Sequence, residues 1–251
     1  MIKKQNILKT NVDVTSLPKV LKLMNKWASD LNHGKYVCLF NVHMCMEAYD
    51  NDNFSDILNQ SDLILADGFP IYLAQKLLGH SDASQIRGAD LTMELTKISK
   101  KNNIPIGFLG GSEETLEKMC DVLINRDDIG TIKYSYSPPF RSLNDQEKND
   151  IIDKINDSGI KILFVGLGCP KQEIWMKEHK EKLNCIMVGV GAAFDFIAGN
   201  KKTAPIWMQR IGLEWLYRLL SEPKRLWKRY FKHNPRFIYY FILQYFGIIR
   251  R

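Results

Sequence analysis

Nothing in this 251-residue chain is patterned for a disulfide framework. Its five cysteines, Cys38, Cys45, Cys120, Cys169 and Cys185, are odd in number and scattered, with no C-x-x-C pair. That usage argues against a thiolate zinc site and predicts a reducing, cytoplasmic setting. No apolar run approaches the roughly 20 residues that a membrane-spanning helix needs. The richest stretch, Phe237 to Ile249, has 13. Met1-Ile2-Lys3-Lys4-Gln5-Asn6 leads into no long apolar segment, so no secretory signal is expected. There is neither a G-x-G-x-x-G string nor a Walker sequence, which weighs against dinucleotide oxidoreductases and P-loop NTPases. Internal repeats and Gly/Ser linkers are missing too. What remains, 45% apolar and 25% charged, is the composition of an ordinary folded protein.

Acidic residues are nearly missing from the last fifty positions. Between Lys201 and Arg251, twelve Lys and Arg face only Glu214 and Glu222, a local charge of +10. The whole chain carries +7, so its first 200 residues carry −3. Twelve of the 27 aromatic residues also lie after Lys201. This change near Gly199 predicts a globular body over residues 1–199 and a basic, aromatic appendage over 200–251. Such an appendage suits an anionic partner: a membrane face, a nucleic acid or a phosphorylated ligand. Within it Ser221-Glu222-Pro223 opens a helix. On a helical wheel Lys224, Arg225, Lys228, Arg229 and Lys232 share one arc, and Leu226, Trp227, Tyr230 and Phe231 the opposite one. That pattern fits a helix on an anionic membrane surface, and also a helix docked on its own domain with a solvated basic face. The aromatic segment behind it tilts the reading toward the membrane.

Ahead of the appendage, apolar β-rich runs alternate with helical patterns. Strands are expected at residues 36–41, 62–66, 104–109, 131–135, 161–165 and 185–190. Helices are expected at 44–49, 70–78, 91–102, 113–125, 145–157 and 170–182. Strands that are apolar throughout are buried on both faces. The alternation therefore predicts an α/β fold, a Rossmann-like, mostly parallel sheet flanked by helices, with the basic helical appendage at its C-terminal end.

Ligands bind such sheets at the carboxyl ends of the strands. Asn41, at the first strand end, can orient a ligand hydroxyl or cap the next helix, and position alone favours the cap. His43 sits beside Met44 and Cys45, but no second His stands at ligand spacing, so no metal is expected there. Asp67-Gly68 closes the second strand, where a carboxylate reads equally as a general base or as an N-cap before Pro70. Gly110-Gly111-Ser112 is a strand–helix turn whose free N–H groups suit an anion, a weak and common signal. In the stretch Gly166-Leu-Gly168-Cys-Pro170-Lys171-Gln172-Glu173, Pro170 takes an expected first helical position. The helix N–H groups and Lys171 suit a phosphate, and Gln172 and Glu173 suit hydroxyls or a base edge. The Gly189 to Asp195 segment, with Gly191, follows closely, and two Gly-rich strand ends so near in sequence favour a nucleotide-like ligand. Asp50-Asn51-Asp52 has the D-x-D form of metal–nucleotide motifs but follows a helical pattern, so it reads as a solvated turn.

Taken in order, these strings resemble the WecG/TagA/CpsF family of bacterial glycosyltransferases. The matching residues are Ala66-Asp67-Gly68, Arg87-Gly88-Ala89-Asp90-Leu91, Gly110-Gly111, Gly166 to Trp175, Gly189 to Asp195 and Ala198-Gly199. Ala204-Pro-Ile-Trp207, Gly212 to Arg218 and Glu222-Pro-Lys-Arg225 complete them. They span about Asn41 to Arg229 and are specific as a set, though not singly.

The resemblance implies inverting transfer of an N-acetylmannosamine-like or related sugar in cell-surface polysaccharide biosynthesis. The donor would be a UDP-sugar and the acceptor a polyprenyl-diphosphate-linked sugar, with no cofactor and no essential metal. It implies Asp67 as catalytic base and the Gly166–Glu173 and Gly189–Asp195 segments as the nucleotide site. It gives Arg218 and Arg225 to the leaving diphosphate. It also implies a peripheral enzyme on the inner face of the cell membrane, bound to an anionic surface, with no nucleic-acid partner; homo-oligomerisation stays open. Two positions depart from the family pattern. Leu39-Phe40-Asn41 stands where members often read Thr-x-Asn, and Gln85 stands where an Arg is expected, with Arg87 nearby. Both bear on the sugar identity rather than the reaction class. Two rivals use the same features less fully. A Rossmann-type oxidoreductase would carry the dinucleotide fingerprint, and a nucleic-acid binder would need neither the Gly turns nor the strand-end Asp.

Overall fold

The computed structural model describes residues 2–126, 129–141 and 143–249. The chain opens with an antiparallel hairpin, β1 (Lys4–Ile7) and β2 (Thr10–Asp13). Each strand has four residues, too few and too polar to stand out in sequence. Helix α1 (Leu17–Ser29) follows, with Pro18 in its first turn and Val20, Met24 and Ala28 on its buried stripe.

The alternating region then runs β3 (Lys35–Phe40), α2 (Val42–Asp50), α3 (Asp52–Asn59), β4 (Leu63–Ala66), α4 (Phe69–Leu77) and α5 (Gly88–Lys101). It continues with β5 (Ile106–Gly110), α6 (Glu113–Asn125), β6 (Ile132–Tyr136), α7 (Asp145–Asp157) and β7 (Ile162–Gly166). It ends with α8 (Lys171–His179), β8 (Ile186–Gly189) and α9 (Ala193–Ile197). Beyond Gly199 come α10 (Ile206–Arg210), α11 (Glu214–Ser221) and α12 (Pro223–Tyr245).

Strands β3 to β8 form one parallel sheet in the order β4-β3-β8-β7-β5-β6. The runs in β3, β4, β5, β7 and β8 have the expected double burial, because successive side chains go to opposite faces, whereas β6, at the sheet edge, has no buried residue. Tyr36, Cys38, Phe40, Ile64 and Leu163 pack with α2, α3, α8 and α12 on one face. Val37, Leu39, Leu65, Phe108 and Phe164 pack with α1, α5, α6 and α9 on the other. The result is a helix–sheet–helix sandwich, with all six carboxyl strand ends on one rim.

The basic amphipathic run and the aromatic segment behind it form a single helix, α12, with Pro235 inside it. Its buried stripe is Leu226, His233, Phe237, Phe241 and Gln244. This differs from the wheel reading in one respect. Arg229, assigned there to the solvated basic arc, lies on the stripe that faces the body and is partly buried. The helix docks on α2: Arg236 forks onto Asp50 at 2.5 and 2.9 Å, and the rings of Tyr49 and Tyr240 lie 4.3 Å apart. Gln244 accepts from the Leu8 amide at 2.9 Å and donates to the Asn6 carbonyl at 3.1 Å. Leu8 has φ 55, in the left-handed region that a bulky side chain rarely adopts. The end of the chain thus secures the turn of the first hairpin.

Candidate active site

Two strand ends carry the polar floor of a cleft of about 890 Å³. Asp67 follows β4. Its Oδ1 accepts from the Gly88 amide at 3.1 Å, the first residue of α5. The residue therefore caps α5 rather than the helix that follows it, whose N-cap is Gly68. Asn41, after β3, caps α2 by accepting from the Met44 amide at 3.2 Å. Its Nδ2 lies 3.5 Å from Asp67 Oδ2, the long end of a hydrogen bond. So the cap read from sequence is present, and the same side chain also faces Asp67 on the cleft floor. Gly68 is needed for close approach: a Cβ there would meet Asn41 Cα and Cβ at 3.1 Å. Gln85 donates to the Asp67 carbonyl at 2.7 Å, fixing the loop from behind.

The carboxyl of Asp67 is pushed up to about 6. Burial is the main cause, and the nearby charge of Glu214 adds to it. The Gly88 amide, Arg218 and Asn41 pull the other way without cancelling it. A carboxylate poised near neutrality, within reach of a cleft, is suited to take a proton from a substrate hydroxyl.

The cationic wall comes from the appendage. Arg218 of α11 and Arg229 of α12 both line the cleft. The Nε of each is buried without a hydrogen-bond partner, and neither has a carboxylate within ion-pair distance among the described residues. Arg218 lies over the Phe196 ring at 5.1 Å. The charges of Arg218 and Arg225 both bear on Arg229, whose pKa is lowered chiefly by burial. Arg225 itself is exposed and forks onto Glu222 at 2.6 and 2.8 Å, outside the cleft lining. Arg87 is not a lining residue either. It bonds Asp90 at 2.7 Å and Gln209, and lies 3.8 Å from Glu214, tying α5 to α10 and α11. Beyond Asp67 the cleft becomes apolar, between Leu73 and Leu77 of α4 and Phe237, Phe241, Ile242 and Tyr245 of α12.

The glycine turns at the ends of β5, β7 and β8 are not among the residues that line this cleft. Gly110 has φ 108, and a Cβ on it would meet the Gly166 backbone at 2.7 Å. Gly111 donates to the Gly166 carbonyl at 3.2 Å, so the ends of β5 and β7 are locked together. Gly168 donates to Gln172 Oε1 at 3.1 Å, and a Cβ on Gly191 would stand 3.9 Å from that same oxygen. Pro170 is the N-cap of α8 rather than its first helical residue, and Lys171 is exposed. Gln172 and Glu173, read from sequence as ligand contacts, are 3% and 0% exposed and bond each other at 2.7 Å. Burial pushes the Glu173 carboxyl up to about 7. In this arrangement the pair shapes the loop from beneath. Asp195 is held by Lys201 at 2.6 Å, and Lys201 in turn reaches Glu222 at 3.6 Å.

Asp50-Asn51-Asp52 is the junction of α2 and α3. Asn51 caps α3, Asp50 binds Arg236 and Asp52 binds Lys9 at 2.6 Å. Sequence reading missed Glu214 and Arg229 as site residues, and it missed His233, which α12 brings beside His43. The partners of each lie on remote elements, and no local pattern marks them.

The description "Glycosyl transferase WecG/TagA/CpsF family" matches residues 5–251. The chain is also similar to the N-acetylglucosaminyldiphosphoundecaprenol N-acetyl-beta-D-mannosaminyltransferase of Bacillus spizizenii (strain ATCC 23059 / NRRL B-14472 / W23). The two are 33% identical over 201 residues, which cover 80% of this chain and 76% of the relative.

Proposed function

The chain belongs to the WecG/TagA/CpsF glycosyltransferase family, and on that premise we propose that it moves an N-acetylmannosamine-like sugar from a UDP-sugar to a polyprenyl-diphosphate-linked sugar, with inversion. One observation carries this reading. A poised carboxylate, two guanidinium groups with unpaired buried nitrogens and an apolar trough share one cleft.

The acceptor hydroxyl attacks the anomeric carbon from the side of Asp67. Its proton passes to Asp67, the new glycosidic bond forms and the bond from the anomeric carbon to the UDP oxygen breaks. UDP leaves with added negative charge on its diphosphate. Arg218 and Arg229, with Arg225 one turn before Arg229, supply the compensating field. An unpaired buried donor is costly, so the two Nε atoms favour an anionic occupant. The Gly110, Gly166–Gly168 and Gly191 turns adjoin this diphosphate position and bind the nucleotide. The apolar trough takes the first isoprene units of the acceptor. A peripheral seat on an anionic membrane follows: no helix among the described residues is long and apolar enough to cross a bilayer, while Trp227, Phe231, Ile238 and Tyr239 are exposed along α12.

The test is UDP release from a set of UDP-sugars, with a short-chain polyprenyl-diphosphate N-acetylglucosamine acceptor. Acceptor-dependent release with one N-acetylhexosamine donor supports the reading. Arg218→Ala and Arg229→Ala should each lower it by roughly 100-fold, the scale of losing one oxyanion donor. Lys228→Ala, on the exposed side of α12, should leave it unchanged. Release from no UDP-sugar, or equal release without acceptor, would overturn it.

A further inference from the structure

His43 and Glu47 stand one turn apart on α2, and His233 reaches them from α12. His43 Nδ1 lies 3.8 Å and His233 Nε2 3.7 Å from Glu47 Oε1. All three ligand atoms fall within 4.8 Å of one another, and the two imidazole rings meet edge to face at 5.0 Å. These distances are too long for hydrogen bonds. His43 Nδ1 is buried with no partner, and so is His233 Nδ1 on a side chain only 5% exposed. Buried polar atoms are normally satisfied, and leaving one bare is costly. Ordinary packing would have turned these polar edges toward donors and acceptors. Here His43 Nδ1 and the other nitrogen of His233, Nε2, face the same oxygen of Glu47 and stop short of it.

An ion accounts for that spacing. Zinc bonds of about 2.0–2.2 Å set neighbouring ligands about 3.4 Å apart, close to the two His–Glu distances. Two imidazoles and one carboxylate are the donor set of zinc-class metals rather than of magnesium or calcium, which take oxygen. Arg236 is neutralised by Asp50, while Arg229 and Lys232 keep the surroundings positive. That positive charge opposes a bound cation, so the three donors must outweigh it. Both histidines line the cleft, so water or a ligand can complete the coordination from that side.

We propose that His43, Glu47 and His233 form a three-ligand site for a divalent transition ion of the zinc class, pinning α12 to α2 on the cleft wall beside Asn41. The ion is a pin: it holds the appendage against the body, and no step of the sugar transfer passes through it. The proposal does not depend on which sugar is transferred.

The full chain, stripped with a chelator, is titrated with Co²⁺ and followed by its visible d–d absorption, then by displacement with Zn²⁺. One Co²⁺ per chain with a tetrahedral spectrum lacking thiolate charge-transfer bands is expected. Glu47→Gln and His233→Ala should weaken uptake by at least the roughly 10- to 100-fold that follows loss of an outer-shell partner. Zn²⁺ should raise the melting temperature of the stripped wild type and not of the variants, since only a folded site is stabilised by binding. Glu47 is one-third exposed, so its conservative variant decides the matter if His233→Ala does not fold. No uptake by the stripped wild type, uptake unchanged in Glu47→Gln, or a thiolate spectrum assigning the ion to cysteines would each overturn the proposal.

Discussion

At Asp67, burial and the charge of Glu214 outweigh the Gly88 amide, Arg218 and Asn41, and the carboxyl titrates near 6 instead of 3.8. That shift has a consequence for stability. The folded state holds the proton more tightly than the unfolded chain, so the associated stability is full below about pH 3.8 and is lost as the pH rises through 6. Asp67→Asn removes the charge and keeps the shape. It should therefore melt higher than wild type at pH 7.5, with the difference shrinking toward zero near pH 4. Paired thermal melts at the two pH values check this; a variant destabilised equally at both would deny the strain on the carboxylate. Glu214→Gln tests the same balance from its neighbour. Removing that charge should move the acid limb of the pH–rate profile to lower pH, and a limb moving upward would contradict the assigned sign. Asp67 and Asn41 were legible because a polar residue closing an apolar strand is a local pattern. Glu214, Arg229 and His233 were not, because what brings them to the cleft lining is the docking of helices far along the chain. At Gln172 and Glu173 the sequence pattern and the packing point different ways. The first turn of a helix after a Gly-rich loop ordinarily faces a ligand, whereas here α8 turns these two beneath the loop.

Among the elements, α12 carries the most divided duty. Phe237 and Phe241 complete the core, while Phe231, 70% exposed, faces outward. Phe237→Ala should cost about 3–5 kcal/mol, the usual range for emptying a buried aromatic site. Phe231→Ala should change stability by less than about 0.5 kcal/mol yet weaken liposome binding. Denaturant unfolding and liposome co-sedimentation measure the two; the reverse pattern would mean that the helix docks by another face. The wheel recovered the amphipathic character of this helix but could not tell which arc meets the body, and so it left Arg229 in solvent. Five of the six sheet strands were readable from continuous apolar runs; the edge strand β6, Ile-Lys-Tyr-Ser-Tyr, shows only β-prone residues. The β1–β2 hairpin was not, since each strand has four residues and its order depends on α12, through Gln244 and Leu8.

Across the whole molecule, positive charge and aromatic residues are concentrated after Lys201. Residues 1–200 carry −3 and residues 201–251 carry +10, so on the proposed reading an anionic surface would attract the second segment and repel the first. Reversing Lys224, Lys228 and Lys232 together should weaken binding to anionic vesicles by about 1 kcal/mol per residue and flatten its salt dependence. Turnover of a water-soluble acceptor should persist, because none of the three lines the cleft. Vesicle binding unchanged at low salt would move the membrane contact elsewhere. The most direct measurement of the catalytic reading is the pH dependence of kcat/KM for UDP release by wild type and Asp67→Asn with that soluble acceptor. Wild type should show an acid limb near pH 6, and the variant should lose the limb and at least about 100-fold in rate. A folded Asp67→Asn enzyme that keeps both the limb and near-normal turnover would remove Asp67 from the reaction.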